Sequence, residues 1–172
     1  MALKPDRMYQ PMEDISRFWP TGSITEANSK AGGIVSLVAS NSGVGLDSDG
    51  SGGVDPGHSG NDNTVNYAAQ ASGALPVGLL TQDIRNDQTS EPRRRNLHAN
   101  VAYVGGKVHL IRKGWVVTDR IVGTPTAGGV AYLHHSGYIG VVPAQGSASP
   151  TIVGKFETIK DENGFARVFV DL

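Results

Sequence analysis

Cysteine is absent from the 172-residue chain, charged residues make up only 18%, and aromatic residues only 6%. Without cysteine there is no disulfide framework, no thiolate nucleophile, no Cys-ligated zinc and no iron–sulfur cluster, which leaves oxygen and imidazole chemistry. Neither sign of charge dominates: 15 Lys+Arg stand against 16 Asp+Glu, a formal net charge of −1. Binding a phosphate backbone draws on a basic field that such a balance does not supply, so no direct nucleic-acid partner is expected. Long apolar runs are missing too. Residues 1–30, MALKPDRMYQPMEDISRFWPTGSITEANSK, hold no stretch of signal-peptide type, and nowhere is there an apolar run of the ~18 residues that a membrane-spanning helix needs. The expectation is a soluble protein, made in a cytoplasm, with no membrane partner.

What the chain has in excess is glycine, 23 residues, about twice the share found in ordinary proteins. Helical bundles and coiled coils need Ala, Glu, Lys and Leu in place of so much glycine, so helix is expected to be the minority structure. At this length one domain is the default, able to bury roughly 70% of the unfolded chain's surface.

Residues 1–31 are polar and turn-rich, and Pro5, Pro11 and Pro20 interrupt any long helix. One helical turn around Met12, Ile15, Phe18 and Trp19 is the most regular structure this segment predicts. Those side chains and Tyr9 need an apolar surface, on the protein's own body or on a partner, so the segment reads as an extended N-terminal arm. A β domain over 32–172 follows. GGIVSLVAS (Gly32 to Ser40) is a β-branched run bounded by glycine and serine, the mark of a strand. The Gly/Asp/Asn-rich stretch 41–63 reads as a long loop, because glycine loses the most entropy on being fixed.

From Val101 the pattern is wholly β. VAYV, Gly105-Gly106 and KVHLIRKGWVVTD predict a first hairpin; GVAYLHH, Ser136-Gly137 and YIGVV a second; IVGKFETI, Asp161–Gly164 and FARVFVDL a third. In the last strand Ala166, Val168, Val170 and Leu172 share one face by strict alternation. The fold class expected is all-β, an antiparallel β-sandwich or small β-barrel with the arm and the glycine-rich loop attached.

Chemistry-bearing groups are few. Asp47, Asp49 and Ser51 fall at the first, third and fifth positions of a twelve-residue calcium loop, with Gly52 sixth. Position twelve is His58 where a bidentate glutamate belongs, and the flanks are not helical. A solvated acidic loop is the better reading, with Asp47, Asp49 and Asp55 the residues a metal would use. His134 and His135 are adjacent, so in a strand they face opposite ways and converge only within a turn. No nucleophile elbow, phosphate loop or dinucleotide fingerprint occurs, so a catalytic role is the poorer reading and no cofactor is expected. Arg93, Arg94 and Arg95 concentrate positive charge, either as a solvated loop tip or as a docking patch for carboxylates, which guanidinium groups bind in a bidentate fork.

Taken together, ALPVGLLTQDIRN, then RRRNLHANVAYVGGKVHLIRKGWVVTDRIVGTPTAGGVAYLHHSGYIGVV, then IVGKFETIKDENGFARVFVDL resemble the head decoration, or capsid cement, proteins of tailed bacteriophages. The shared features are a V-G-L-L strand, a G-G-K-V segment before a glycine and a valine strand, a P-T-A-G-x-x-A-Y-L segment and a closing V-G-K-F strand. They run from about Leu75 to Leu172. The resemblance implies a structural virion protein without chemistry of its own, made in the host cytoplasm and bound to the outer capsid surface. There it would bridge subunits of the major capsid protein and assemble with itself as a homotrimer. Contact with capsid or neighbouring protomer would then fall to Tyr9, Met12, Ile15, Phe18 and Trp19 of the arm and to Arg93, Arg94 and Arg95. A tail or baseplate β-domain, and a small hydrolase on a β scaffold, are the alternatives.

Overall fold

The computed structural model describes residues 9–20, 30–37, 64–85, 101–103, 108–146 and 150–172. Its strands are β1 (Tyr9–Pro20), β2 (Ile34–Leu37), β3 (Thr64–Asn66), β4 (Pro76–Leu80), β5 (Asp83–Arg85), β6 (Val101–Tyr103), β7 (Val108–Thr118), β8 (Ile121–Val122), β9 (Val130–Leu133), β10 (Ile139–Gly140), β11 (Ile152–Phe156) and β12 (Ala166–Asp171). Among the described residues the one helical element is a 3-10 turn, His135–Gly137. None is a helix long and apolar enough to cross a membrane. The chain is all-β, as its glycine and β-branched content imply.

Ten strands make one curled sheet, a half-barrel in the order β1-β3-β2-β4-β7-β12-β11-β9-β10-β8. The sheet is mixed, not purely antiparallel: β1 runs parallel to β3, and β10 parallel to β8. β1 also pairs antiparallel along β7, so β1, β3, β2, β4 and β7 close a circuit of five strands. Closing a circuit removes the open edges that an unpaired β1 would present.

Two sequence expectations are corrected here. The segment around Met12, Ile15, Phe18 and Trp19 is not a helical turn; its backbone is extended and bonded to β7 over Tyr9↔Val116 to Phe18↔Val108. Partner donors and acceptors on β7 outweigh the weak local preference for a turn, and Pro11 and Pro20 are tolerated because irregular pairing and a strand end spare their missing N–H. The Gly105-Gly106 hairpin is also replaced by another pairing. β6 lies parallel to β5 in a separate two-stranded sheet. β7 has no edge left for β6, since β1 takes one side while β12 and β4 share the other.

The other two hairpins form as expected. β9 and β10 pair as Leu133↔Ile139 and Tyr132↔Gly140 around a turn in which Ser136 and Gly137 have φ of 56° and 73°. β11 and β12 pair as Phe156↔Val168 and Gly154↔Val170. Their turn is held by the Asp161 carboxylate, which accepts the N–H groups of Asn163 at 3.0 Å and Phe165 at 2.9 Å.

Two apolar cores lie against β2, β4 and β7. Ile34, Leu79 and Ile111 join Val116, Leu133, Ile139, Val153, Phe156, Val168 and Val170 in the larger one. Their chain neighbours Val35, Leu80 and Leu110 join Val65, Ile84 and Val108 in the second. Consecutive residues on a strand face opposite ways, so these three strands are buried on both faces, the reason IV, LL and LI stand as unbroken apolar pairs. Pairing between β1 and β7 slips between Glu13 and Asp14, opposite Lys113 and Ile111. A slip of one residue exchanges the faces, which lets Val116 continue the core that Ile111 begins.

Candidate contact face and Arg120 cluster

The side of β9, β11, β12 and β7 away from the larger core forms the first candidate surface. Cross-strand register sets Val130 beside Lys155, Lys155 beside Phe169 and Phe169 beside Trp115, with Ile152 opposite Tyr132 in a neighbouring row. Ile152 is 60% exposed, and Val130 is exposed as well. The Trp115 and Phe169 rings meet at 5.1 Å between centroids, tilted 56°, a favoured aromatic geometry. Beside them the Trp115 Nε1–H donates to the Glu157 carboxylate, which also holds the Arg167 Nε at 2.9 Å. Lys113 and Asp171 pair at the same edge. The face thus mixes uncovered apolar groups with the ion pairs Arg167–Glu157 and Lys113–Asp171 and the exposed Lys155, which suits contact with another protein more than chemistry.

Arg120, between β7 and β8, forms the second. Thr118 locks the backbone here: its Oγ1 donates to Gly32 O at 2.9 Å and accepts the Arg120 N–H at 3.1 Å, while Ile139 N–H bonds Arg120 O. The Arg120 guanidinium stands 4.8 Å from the Tyr67 ring centroid and 5.3 Å from that of Tyr138. Only 7% of Arg120 is exposed. Tyr67 is buried too and its hydroxyl donates to Lys30 O at 2.6 Å. Burial pushes the Tyr67 phenol well above its ordinary range, with the Arg120 charge opposing that shift. Gly33 makes the packing possible, because a Cβ there would come within 2.7 Å of Tyr67 Cε1 and 3.1 Å of Arg120 Cδ.

His134 and His135 do sit at a turn, with ring centroids 5.0 Å apart and planes at 72°. His135 Nδ1 accepts the Ala71 N–H at 3.2 Å, which ties this ring to the segment after β3. Among the described residues no group of three or more His, Asp or Glu is placed to hold a metal ion.

Of the residues singled out by sequence, Met12 is described with its side chain, and it is 60% exposed. Tyr9, Ile15, Phe18 and Trp19 have their backbone in β1, and their side chains lie outside the described residues. Asp47, Asp49, Asp55, Arg93, Arg94 and Arg95, with the whole 41–63 loop, lie outside them as well. Tyr67, Arg120 and Tyr138 were not anticipated, because they come from three separate segments and no local spacing links them. No protein family matches the chain, and no curated protein matches it either.

Proposed function

We propose that the chain is a structural virion protein that decorates and stabilises a tailed-bacteriophage head, binding across subunits of the major capsid protein on the outer surface and assembling as a homotrimer. The observation that carries this reading is the outer face of β9, β11, β12 and β7, where Ile152 and Val130 stand uncovered beside Tyr132, Phe169 and Trp115. Uncovered apolar groups rimmed by polar ones mark protein contact. Supporting it, the sequence segments that resemble capsid cement proteins include every strand of this face. A protein that binds only the finished shell stabilises that shell by mass action.

The test is reconstitution. Purified protein added to expanded heads that lack it is expected to bind and to raise their resistance to heat, whereas Ile152→Glu with Val130→Glu is expected to leave circular dichroism unchanged and abolish binding. Wild-type protein that fails to bind such heads, or that labels tails in intact virions, overturns the reading.

A further inference from the structure

We infer that Asn163, in the β11–β12 turn, is a modification site: its carboxamide converts without an enzyme to aspartate and isoaspartate, at a rate set by the hydrogen bonds that Asp161 makes in the same turn. Asn163 is the one asparagine of the chain that is followed by glycine. That matters because the reaction needs the backbone nitrogen of the next residue to reach the asparagine Cγ, an approach that a side chain on that residue obstructs and glycine leaves open. Asn163 is exposed to water. Among the described residues beyond its chain neighbours, nothing comes within 4 Å of a Cβ built at Gly164, so the approach is uncrowded from outside as well. The Gly164 nitrogen gives its proton to water or hydroxide and bonds to Asn163 Cγ, and the side-chain NH2 takes up a proton and leaves as ammonia. Water then opens the resulting cyclic imide. Breaking the new C–N bond gives aspartate, whereas breaking the original peptide C–N bond gives isoaspartate, which carries an extra methylene in the main chain.

The folded turn opposes the first step. The attacking nitrogen is engaged, since Gly164 N–H donates to Asp161 O at 3.0 Å. The Asp161 carboxylate accepts the N–H groups on either side, from Asn163 at 3.0 Å and Phe165 at 2.9 Å, and Asp161 N–H donates to Phe165 O at 2.8 Å. Asp161 thus clamps the backbone through Asn163 and Gly164 while the Asn163 side chain stands in water. Reaction proceeds from the opened turn, and its rate follows the population of that opened form. Either product places a new carboxylate beside Asp161 and Glu162, and isoaspartate also lengthens the loop, so each loosens the turn that formed it.

The test uses the free full-length protein, so its outcome is independent of head binding. Wild type is incubated in mildly alkaline buffer made with heavy-oxygen water, folded or in urea, and the tryptic peptide 161–167 is followed by mass spectrometry. Uptake of label at Asn163 as a mixture of aspartate and isoaspartate is expected, about tenfold or more slower in the folded protein than in urea. Asp161→Ala is expected to bring the rate in buffer toward the urea value and to leave the urea rate as it was, with circular dichroism showing that the β body is intact. Asp161→Ser, whose hydroxyl still accepts from the backbone, is expected to fall between the two and serves in its place if the alanine variant does not fold. No conversion at Asn163 in either state overturns the inference. Equal wild-type rates in buffer and urea, or a folded Asp161 variant that converts no faster than wild type, overturns the control by Asp161.

Discussion

Tyr67 occupies the space above Gly137: a Cβ at Gly137 would stand 2.1 Å from Tyr67 Cδ1 and 2.7 Å from Ile34 O. Gly137 also has a φ of 73°, which costs an L side chain energy even in open space. Gly137→Ala is therefore expected to lower stability by about 2–4 kcal/mol, strain and overpacking together. Gly146 has a similar φ of 79° and, among the described residues, nothing within 4 Å of a Cβ built there, so Gly146→Ala should cost only about 1 kcal/mol. Urea unfolding of the two variants checks the difference; equal losses would mean that Tyr67 does not fill the space.

Burial of β7 on both faces predicts an unusual pair of results. Leu110→Ala and Ile111→Ala should each destabilise the protein by roughly 2–5 kcal/mol, since each residue is fully buried but in a different core. In a strand with one wet face, one of the two neighbours would be nearly silent. Denaturant midpoints of the two single variants decide the matter.

Ser36 lies in β2 beside Val35, buried, and among the described residues its Oγ has no hydrogen-bond partner. Leaving a buried hydroxyl unsatisfied costs on the order of 1–3 kcal/mol, so Ser36→Ala should leave stability unchanged or raise it by up to about that amount. A thermal midpoint that drops on this substitution would show that the hydroxyl is bonded after all.

Stability should also respond to mild acid through His134. Partial burial, and secondarily the neighbouring charge of His135, hold its imidazole below the ordinary value. The unfolded chain then takes up the proton more readily than the folded one, so stability is complete above about pH 6.5 and declines as the pH falls through the folded value. Melting temperatures measured across that range should decrease on acidification. In His134→Asn the decrease should be smaller, and an identical slope in both proteins would assign the effect elsewhere.

Much of the fold could be read from residue pattern alone. Ala166, Val168 and Val170 alternate with Arg167, Phe169 and Asp171, and the structure buries the first set in the larger core while the second forms the outer face. Ser136-Gly137 and Asp161–Gly164 announced their turns because each carries the positive φ or the Asx hydrogen bonds that a tight reversal needs. All these signals are local: they concern residues within a few positions of one another, where covalent geometry and side-chain type restrict the options.

Pairing between distant segments was decided only in three dimensions. Nothing near Tyr9–Pro20 says that it will lie along β7, because that choice depends on which edges of β7 remain open once β12 and β4 have taken theirs. For the same reason Val101–Tyr103 pairs with Asp83–Arg85 and not with the strand that follows it. The Arg120 cluster belongs to this class as well, since it needs Tyr67 from beyond β3 and Tyr138 from the β9–β10 turn to arrive together. The sequence by itself determined that this chain would be strands joined by glycine turns, through alternation and backbone freedom. Competition among strand edges for hydrogen bonds, a property of the assembled sheet, decided which strands became neighbours and which charge was buried among them.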